Sequence, residues 1–435
     1  MVVRSLLPPS RTELFTRLSC AAVFMVPGIA LWVRSGYSWG AALLLLCSLL
    51  TAGVWLRRPP GREAWWLFAS MVCMGAVWAL DFNAGIGMGT LDRSSKYLLA
   101  LPCLFYLLAY PPRAEWLWRG VALGAVGAGC IGIYQTLSAE HGWYRAPWPY
   151  FPRAAGYTNP IQYGGISLLL ALMASAALLT LWERWRPWQR AGWAVAILMG
   201  VEGALLSESR GSWIVLPLAL PVCAWLQARC GQRRMAVAGA ALIIVGAGAL
   251  MSFKADEVRT RVNQARQEVT QYEASGDAAN SVGQRLAHWK LAWQMGTDRP
   301  FFGWGRYGYE VEKQRRVDAG LAHPYVLQFS HAHNEALDLF AKRGLMGVCA
   351  LVLFYGVPLV LFWPTRRRVL QPDGQPDCEG LALRIMGVLV PLSYAGFGTT
   401  QVFLGHNSGT MFYLFMNMAV LAILQGRERS ARARA

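Results

Sequence analysis

His331 and His333 stand one residue apart, and Arg285 and His288 stand three apart; these are the groupings in the chain best suited to chemistry. Imidazole is the side chain that titrates near neutral pH, so His333, and less directly His331, is a candidate proton acceptor. In an extended stretch the two rings would point the same way and offer two ligands to Zn²⁺, with His288 or His323 as conceivable partners and no evident complete set. A hydrogen-bonding or capping role is the plainer reading. Arg285 and His288 fall on one side of a helix. Guanidinium is a planar fork matched to phosphate oxygens, which makes Arg285 and Arg210 candidates for holding an anionic group. The bland alternatives are a surface ion pair for Arg285 and a snorkelling helix-end cation for Arg210. Asn334 reads as an N-cap for the apolar run after it.

The elements that must position these residues are apolar helices. The chain has 435 residues, of which 55% are hydrophobic and 15% charged, with 20 Trp; an ordinary soluble chain carries about 25% charged residues. Apolar stretches long enough to cross a bilayer recur from Leu14 almost to the end. The expected spans are 14–33, 37–56, 64–81, 96–110, 116–137, 161–182, 191–206, 212–227, 235–253, 336–363, 382–403 and 407–425. The first lacks a small-residue cleavage site and reads as a retained helix. The fold expected is an all-α integral membrane protein of about twelve transmembrane helices. Its divisions are helices one to nine in 1–253, a polar loop in 254–335, and helices ten to twelve with a tail in 336–435.

Within that loop, Lys254 to Glu273 is charged and helix-compatible. A second helix follows from Ser281, with Val282, Leu286, Trp289 and Trp293 as its apolar stripe, lying on the bilayer or covering the bundle. Asp298 to Arg306 reads as a turn with aromatic anchors, and Gly303–Gly305 as part of that turn rather than a nucleotide loop.

The net charge of +17 is spread in short clusters between apolar spans: Arg57, Arg58 and Arg62; Arg113 and Arg119; Arg184, Arg186 and Arg190; Arg229, Arg233 and Arg234; Arg366 to Arg368; and the tail Arg427, Arg429, Arg432 and Arg434. That pattern is positive-inside topology, not a nucleic-acid surface, and it makes both termini cytoplasmic. All six His then fall on the outer side. The nine Cys lie mostly within spans, without a CxxC pair, and read as small buried apolar residues. No Asp-x-Asp pair or carboxylate cluster on the outer side would hold Mg²⁺ tightly.

Several segments together resemble the O-antigen ligase and polymerase superfamily of bacterial envelope glycosyltransferases. Ser207-Glu-Ser-Arg-Gly-Ser-Trp213 is similar to the family's Ser-Arg-Gly segment. Gln284-Arg285 to Trp293, then Pro300 and Gly303-Trp-Gly305, resembles its Arg…Trp…Pro…Gly-x-Gly run. His333-Asn334 with Leu337 and Gly344-Leu-Met-Gly347 resembles its His-Asn…Leu…Gly…Gly run. Ala155-Gly-Tyr-Thr-Asn-Pro160 is similar to a further segment, except that Ile161 stands where a second Asn is expected.

The resemblance implies a GT-C-like arrangement in which the loop between helices nine and ten is periplasmic, in the bacterial inner membrane. It implies transfer of a glycan from undecaprenyl pyrophosphate to an acceptor sugar hydroxyl, and best matches an O-antigen ligase acting on lipid A core. An O-antigen polymerase or protein O-oligosaccharyltransferase is the alternative, and a lipid or glycan transporter a more distant one. Under it His333 is the base and Arg210 and Arg285 stabilise the pyrophosphate, with His331, Asn334, His288, Asn159 and Tyr157 contacting substrate. The expected reaction inverts the anomeric centre and uses no metal or other cofactor. The expected partners are the lipid-linked donor, the lipid A core acceptor and membrane lipids, with no nucleic acid.

Overall fold

A computed structural model describes residues 11–57, 60–82, 88–141, 153–234, 236–239, 241, 259–260, 263–264, 266–272, 274, 279–370 and 374–432. Among these residues no strand forms beyond an isolated bridge between Leu370 and Pro376. The helices are α1 (Arg11–Gly28), α2 (Gly36–Leu50), α3 (Arg62–Ala79), α4 (Asp92–Ala109), α5 (Ala114–Glu140), α6 (Pro160–Thr180), α7 (Pro187–Leu206) and α8 (Leu216–Arg229). After them come α9 (Ser281–Asp298), α10 (Gly305–Asp318), α11 (Glu335–Phe362), α12 (Cys378–Gly398) and α13 (Asn407–Arg432).

Six are long and apolar enough, by length and composition, to cross a membrane: α5, α6, α8 with its 3₁₀ entry from Arg210, α11, α12 and α13. The other expected spans coincide with helices, except 235–253, most of which lies outside the described residues together with most of Lys254–Glu273. The molecule is thus an all-α, multi-pass membrane protein. α6, α12 and α13 are buried almost all round and form the centre, whereas α8 and α11 turn much of their apolar surface outward. A helix apolar on every side needs either a protein core or lipid around it, and this bundle uses both.

Asparagine side chains cap three of the helices that bear on the site, of which Asn334 was expected from the sequence. The Asn159 side chain accepts from Ile161 N and Gln162 N, with Pro160 in the first turn of α6; Asn280 caps α9 and Asn334 caps α11.

α9, α10 and the turn Pro324–Gln328 form a small body with its own apolar cluster, in which Ala287, Leu291, Ala292, Met295, Tyr309 and Val326 pack with Ala332 and Ala341. The buried face of α9 is therefore not the expected stripe. Val282, Leu286 and Trp289 are only half-buried and Trp293 is exposed, because the surface against α11 has room for small residues and for His288.

α11 is broken at Gly344, where φ is 59° and ψ −154°, a conformation open essentially to glycine. The turn after α9 fills the break. Trp304 N donates to Ala341 O (3.0 Å), while Leu345 N and Met346 N donate to the carbonyls of Pro300 (2.6 Å) and Phe301 (3.3 Å). A Cβ at Gly303 would sit 2.3 Å from the Lys342 carbonyl carbon, and one at Gly344 2.4 Å from that of Phe301. Both glycines are thus dictated by backbone meeting backbone.

Candidate functional site

The end of the bundle where α6, α8, α11 and α13 begin and α7 and α12 end is stitched together by polar contacts. Ala154 N donates to Leu206 O, the Arg153 Nε to Ser207 O (2.9 Å), the Asn334 Nδ2 to Thr399 O (3.2 Å) and Leu404 N to the Glu335 carboxylate (3.0 Å). Four of the six histidines meet here. The His331 and His333 ring centroids are 4.4 Å apart, His288 and His333 5.5 Å, and His331 and His406 6.3 Å.

The segment that carries His331 and His333 is held from below by two buried lysines. Lys313 Nζ donates to Phe329 O and Lys342 Nζ to Ser330 O, each at 2.8 Å. Asp338 accepts both Lys342 Nζ (2.7 Å) and Ala332 N (3.0 Å), so one buried carboxylate neutralises the lysine and fixes the residue before His333. The extended course expected for this stretch is not what forms. His333 adopts φ 52°, left-handed, and its ring stands at 79° to that of His331. The cap geometry of Asn334 and the pull of Asp338 on Ala332 N leave the chain to reverse at that residue.

Gln401 sets the tautomer of His333. Its Oε1 accepts from Val402 N (3.1 Å), which identifies that atom as the oxygen, so the 3.1 Å contact with His333 Nδ1 is an N–H donated by the imidazole. The lone pair of the neutral ring is then on Nε2. Burial first, and the nearby Arg285 guanidinium second, hold His333 down at about 4. Burial and the charge of His333 hold His288 at about 4 and His331 at about 3, so all three are neutral at pH 7. Both ring nitrogens of the fully buried His288 lack a hydrogen-bond partner among the described residues.

Gln401 also lines a cavity of about 560 Å³ with Arg153, Tyr157, Asn159, His406 and Tyr37. Asn159 uses its oxygen for the α6 cap, leaving its amide to face His406 Nδ1 at a long 3.4 Å. The residues expected around the site thus divide. His288, His331, His333 and Arg285 gather at the start of α11, while Asn159 and Tyr157 join His406 on the cavity wall, with Gln401 shared between the two. Asn334 is committed to its cap and to Thr399 O.

Arg210 lies at the 3₁₀ entry to α8, exposed, and its neighbour Gly211 lets that turn close on Thr400, the residue before Gln401. Among the described residues neither Arg210 nor Arg285 has an ion-pair partner. Nor do the described residues contain a group of three or more His, Cys, Asp or Glu arranged to hold a metal ion.

Gln401, His406 and Arg153 were not singled out as site residues by sequence reasoning. Gln401 follows α12 in a turn with no motif around it, and Arg153 precedes the Ala155–Pro160 segment by two residues. Only the position of His406 between two apolar spans, on the same side as the other histidines, offered a signal.

Residues 201–352 match the O-antigen ligase family. An uncharacterised protein of Haemophilus influenzae is 26% identical over 327 residues, which is 75% of this chain and 78% of that protein. The matched segment begins before the Arg210 turn, spans α9 and α10, and runs through the histidine pair into α11. Over this segment, about a third of the chain, the protein is similar to the O-antigen ligase family.

Proposed function

We propose that the protein is an O-antigen ligase. It transfers O-antigen polysaccharide from undecaprenyl pyrophosphate to a sugar hydroxyl of lipid A core at the periplasmic face of the bacterial inner membrane. In this reading the chain crosses the membrane about twelve times, 254–335 is the periplasmic loop, and both termini are cytoplasmic. The observation that carries the proposal is a neutral His333 with a defined tautomer near Arg285, a cation with no ion-pair partner among the described residues.

The chemistry follows from the charges. The leaving pyrophosphate needs positive charge more than it needs a proton, and Arg285 and Arg210, which have no ion-pair partner among the described residues, can supply it. The acceptor hydroxyl needs a base, and Nε2 of His333 has the free lone pair. Gln401 Oε1, accepting from Nδ1–H, stabilises the imidazolium that forms as the proton arrives. Direct attack of the hydroxyl oxygen on the anomeric carbon, with departure of the pyrophosphate oxygen from the opposite face, inverts that centre. In this reading His331, Asn159 and Tyr157 contact the two sugars, the fully buried His288 packs against His333, and Asn334 shapes the turn, with no metal in the step.

The test is reconstitution of purified protein in liposomes with lipid-linked O-antigen and lipid A core. Joined glycolipid, insensitive to EDTA and lost in His333→Ala, is the expected result. Chain growth of the lipid-linked glycan without a joined product would instead identify a polymerase, which shares the donor and differs in its acceptor.

A further inference from the structure

A second cavity, of about 690 Å³, opens at the opposite end of the bundle, where α6 and α11 end and α5 and α12 begin. Five arginines line it, Arg113, Arg184, Arg368, Arg384 and Arg427, against four carboxylates. The carboxylates are shared rather than matched one to one. Glu379 takes both Arg184 (3.0 Å) and Arg427, Asp377 takes Arg427 again (2.8 Å), and Glu428 takes Arg384 (2.8 Å).

Two observations show donor capacity left over. The Nε of Arg384, whose side chain is 4% exposed, and the Nε of Arg427 are buried without a hydrogen-bond partner among the described residues. Arg113 has no side-chain ion pair there at all. A cavity whose guanidinium donors exceed its acceptors is completed by an anion with several oxygens in a tetrahedral array, since each guanidinium edge pairs with two of them. Ile423, Leu424 and Leu370 supply apolar lining beside the arginines.

We propose that this cavity binds a phosphate group, and that the phosphate is the headgroup of an anionic glycerophospholipid in the leaflet opposite the histidines. Basic pockets between helix ends are suited to such headgroups, and here the apolar lining would seat the top of the acyl chains. The site is independent of the glycosyl-transfer reading.

The test uses the full chain in phosphatidylcholine nanodiscs doped with phosphatidylglycerol, with retained lipid counted by native mass spectrometry. Phosphatidylglycerol is expected to be retained preferentially, and Arg113→Gln to lower that preference about fivefold. Arg190→Gln, at the same end but stacked on Trp182 outside the cavity, is expected to leave it unchanged. Equal retention of the two lipids, or an Arg113→Gln protein indistinguishable from the parent, overturns the proposal. A rise in unfolding temperature with inorganic phosphate alone, without lipid preference, keeps the phosphate chemistry but overturns the lipid source.

Discussion

The two ends of the helical bundle are both rich in arginine, yet at the end opposite the histidines all of the cavity-lining arginines but Arg113 are anchored to carboxylates. At the histidine end Arg210 and Arg285 have no carboxylate partner among the described residues, imidazoles are buried neutral, and His333 and Glu208 occupy left-handed backbone conformations. At the other end Arg184, Arg384 and Arg427 are tied to Glu379, Asp377 and Glu428, and Arg368 reaches the Leu361 carbonyl and Glu63. The difference separates two uses of charge. Pairs that neutralise each other lock helix ends together, whereas groups held unsatisfied and slightly strained are available to a substrate.

Four measurements would break or sharpen that contrast. The largest effect is expected on turnover at the histidine end. His333→Ala should lower transfer by about 10²–10⁴-fold, and Arg285→Ala or Arg210→Ala by about 10²–10³-fold, each with the melting profile of the parent protein. Retention of full activity by purified His333→Ala would remove it as the base.

Next comes the support beneath the histidines. Asp338→Ala strands the buried Lys342 ammonium and releases Ala332 N, and should cost about 3–5 kcal/mol of stability, read from thermal unfolding in detergent. No loss would mean that the pair contributes nothing beyond position.

A smaller effect concerns pH. The neutral form of His333 is the base and its pKa is about 4, so the rate should stay flat from about pH 8 down to pH 5 and fall only below that. Gln401→Glu places a negative charge beside Nδ1, favours the protonated ring, and should move the acid limb up by about 1–3 pH units, while Gln401→Ala removes a hydrogen bond that favours the protonated ring and should move the limb down and lower the rate about 10–100-fold. An unmoved limb in Gln401→Glu would show that another group titrates. The same burial makes stability acid-sensitive. The three histidines have folded values below their ordinary 6.5, so the unfolded chain takes up protons first and stability falls as pH drops from about 6.5 toward 4.

The smallest effect belongs to the paired end. Arg184→Ala removes a pair whose arginine side chain is 62% exposed, and should change stability by less than about 1 kcal/mol and transfer not at all.

Helix positions were legible because apolar length is a local property, and the cap Asn334 was legible because capping acts within one turn. His288 and Arg285 were legible as a pair through helical spacing. What α9 buries was not, because Ala287, Ala292 and Met295 face α11 only after the chain has turned back on itself, and the larger Trp293 wins a hydropathy reading while pointing outward. Gln401 was invisible for a similar reason. Its role depends on the turn between α12 and α13 meeting the start of α11, 68 residues earlier in the chain. The left-handed His333 reflects the same limit, since Asp338 and Thr399 set it from outside its own dipeptide.

The break at Gly344 has a mechanical consequence. Leu345 and Met346 have no acceptors in their own helix for those amides, and the carbonyls of Pro300 and Phe301 stand in as a splint. Prising the turn away would leave two bare amides at the boundary of an apolar span, so the turn and α11 must travel as one rigid piece.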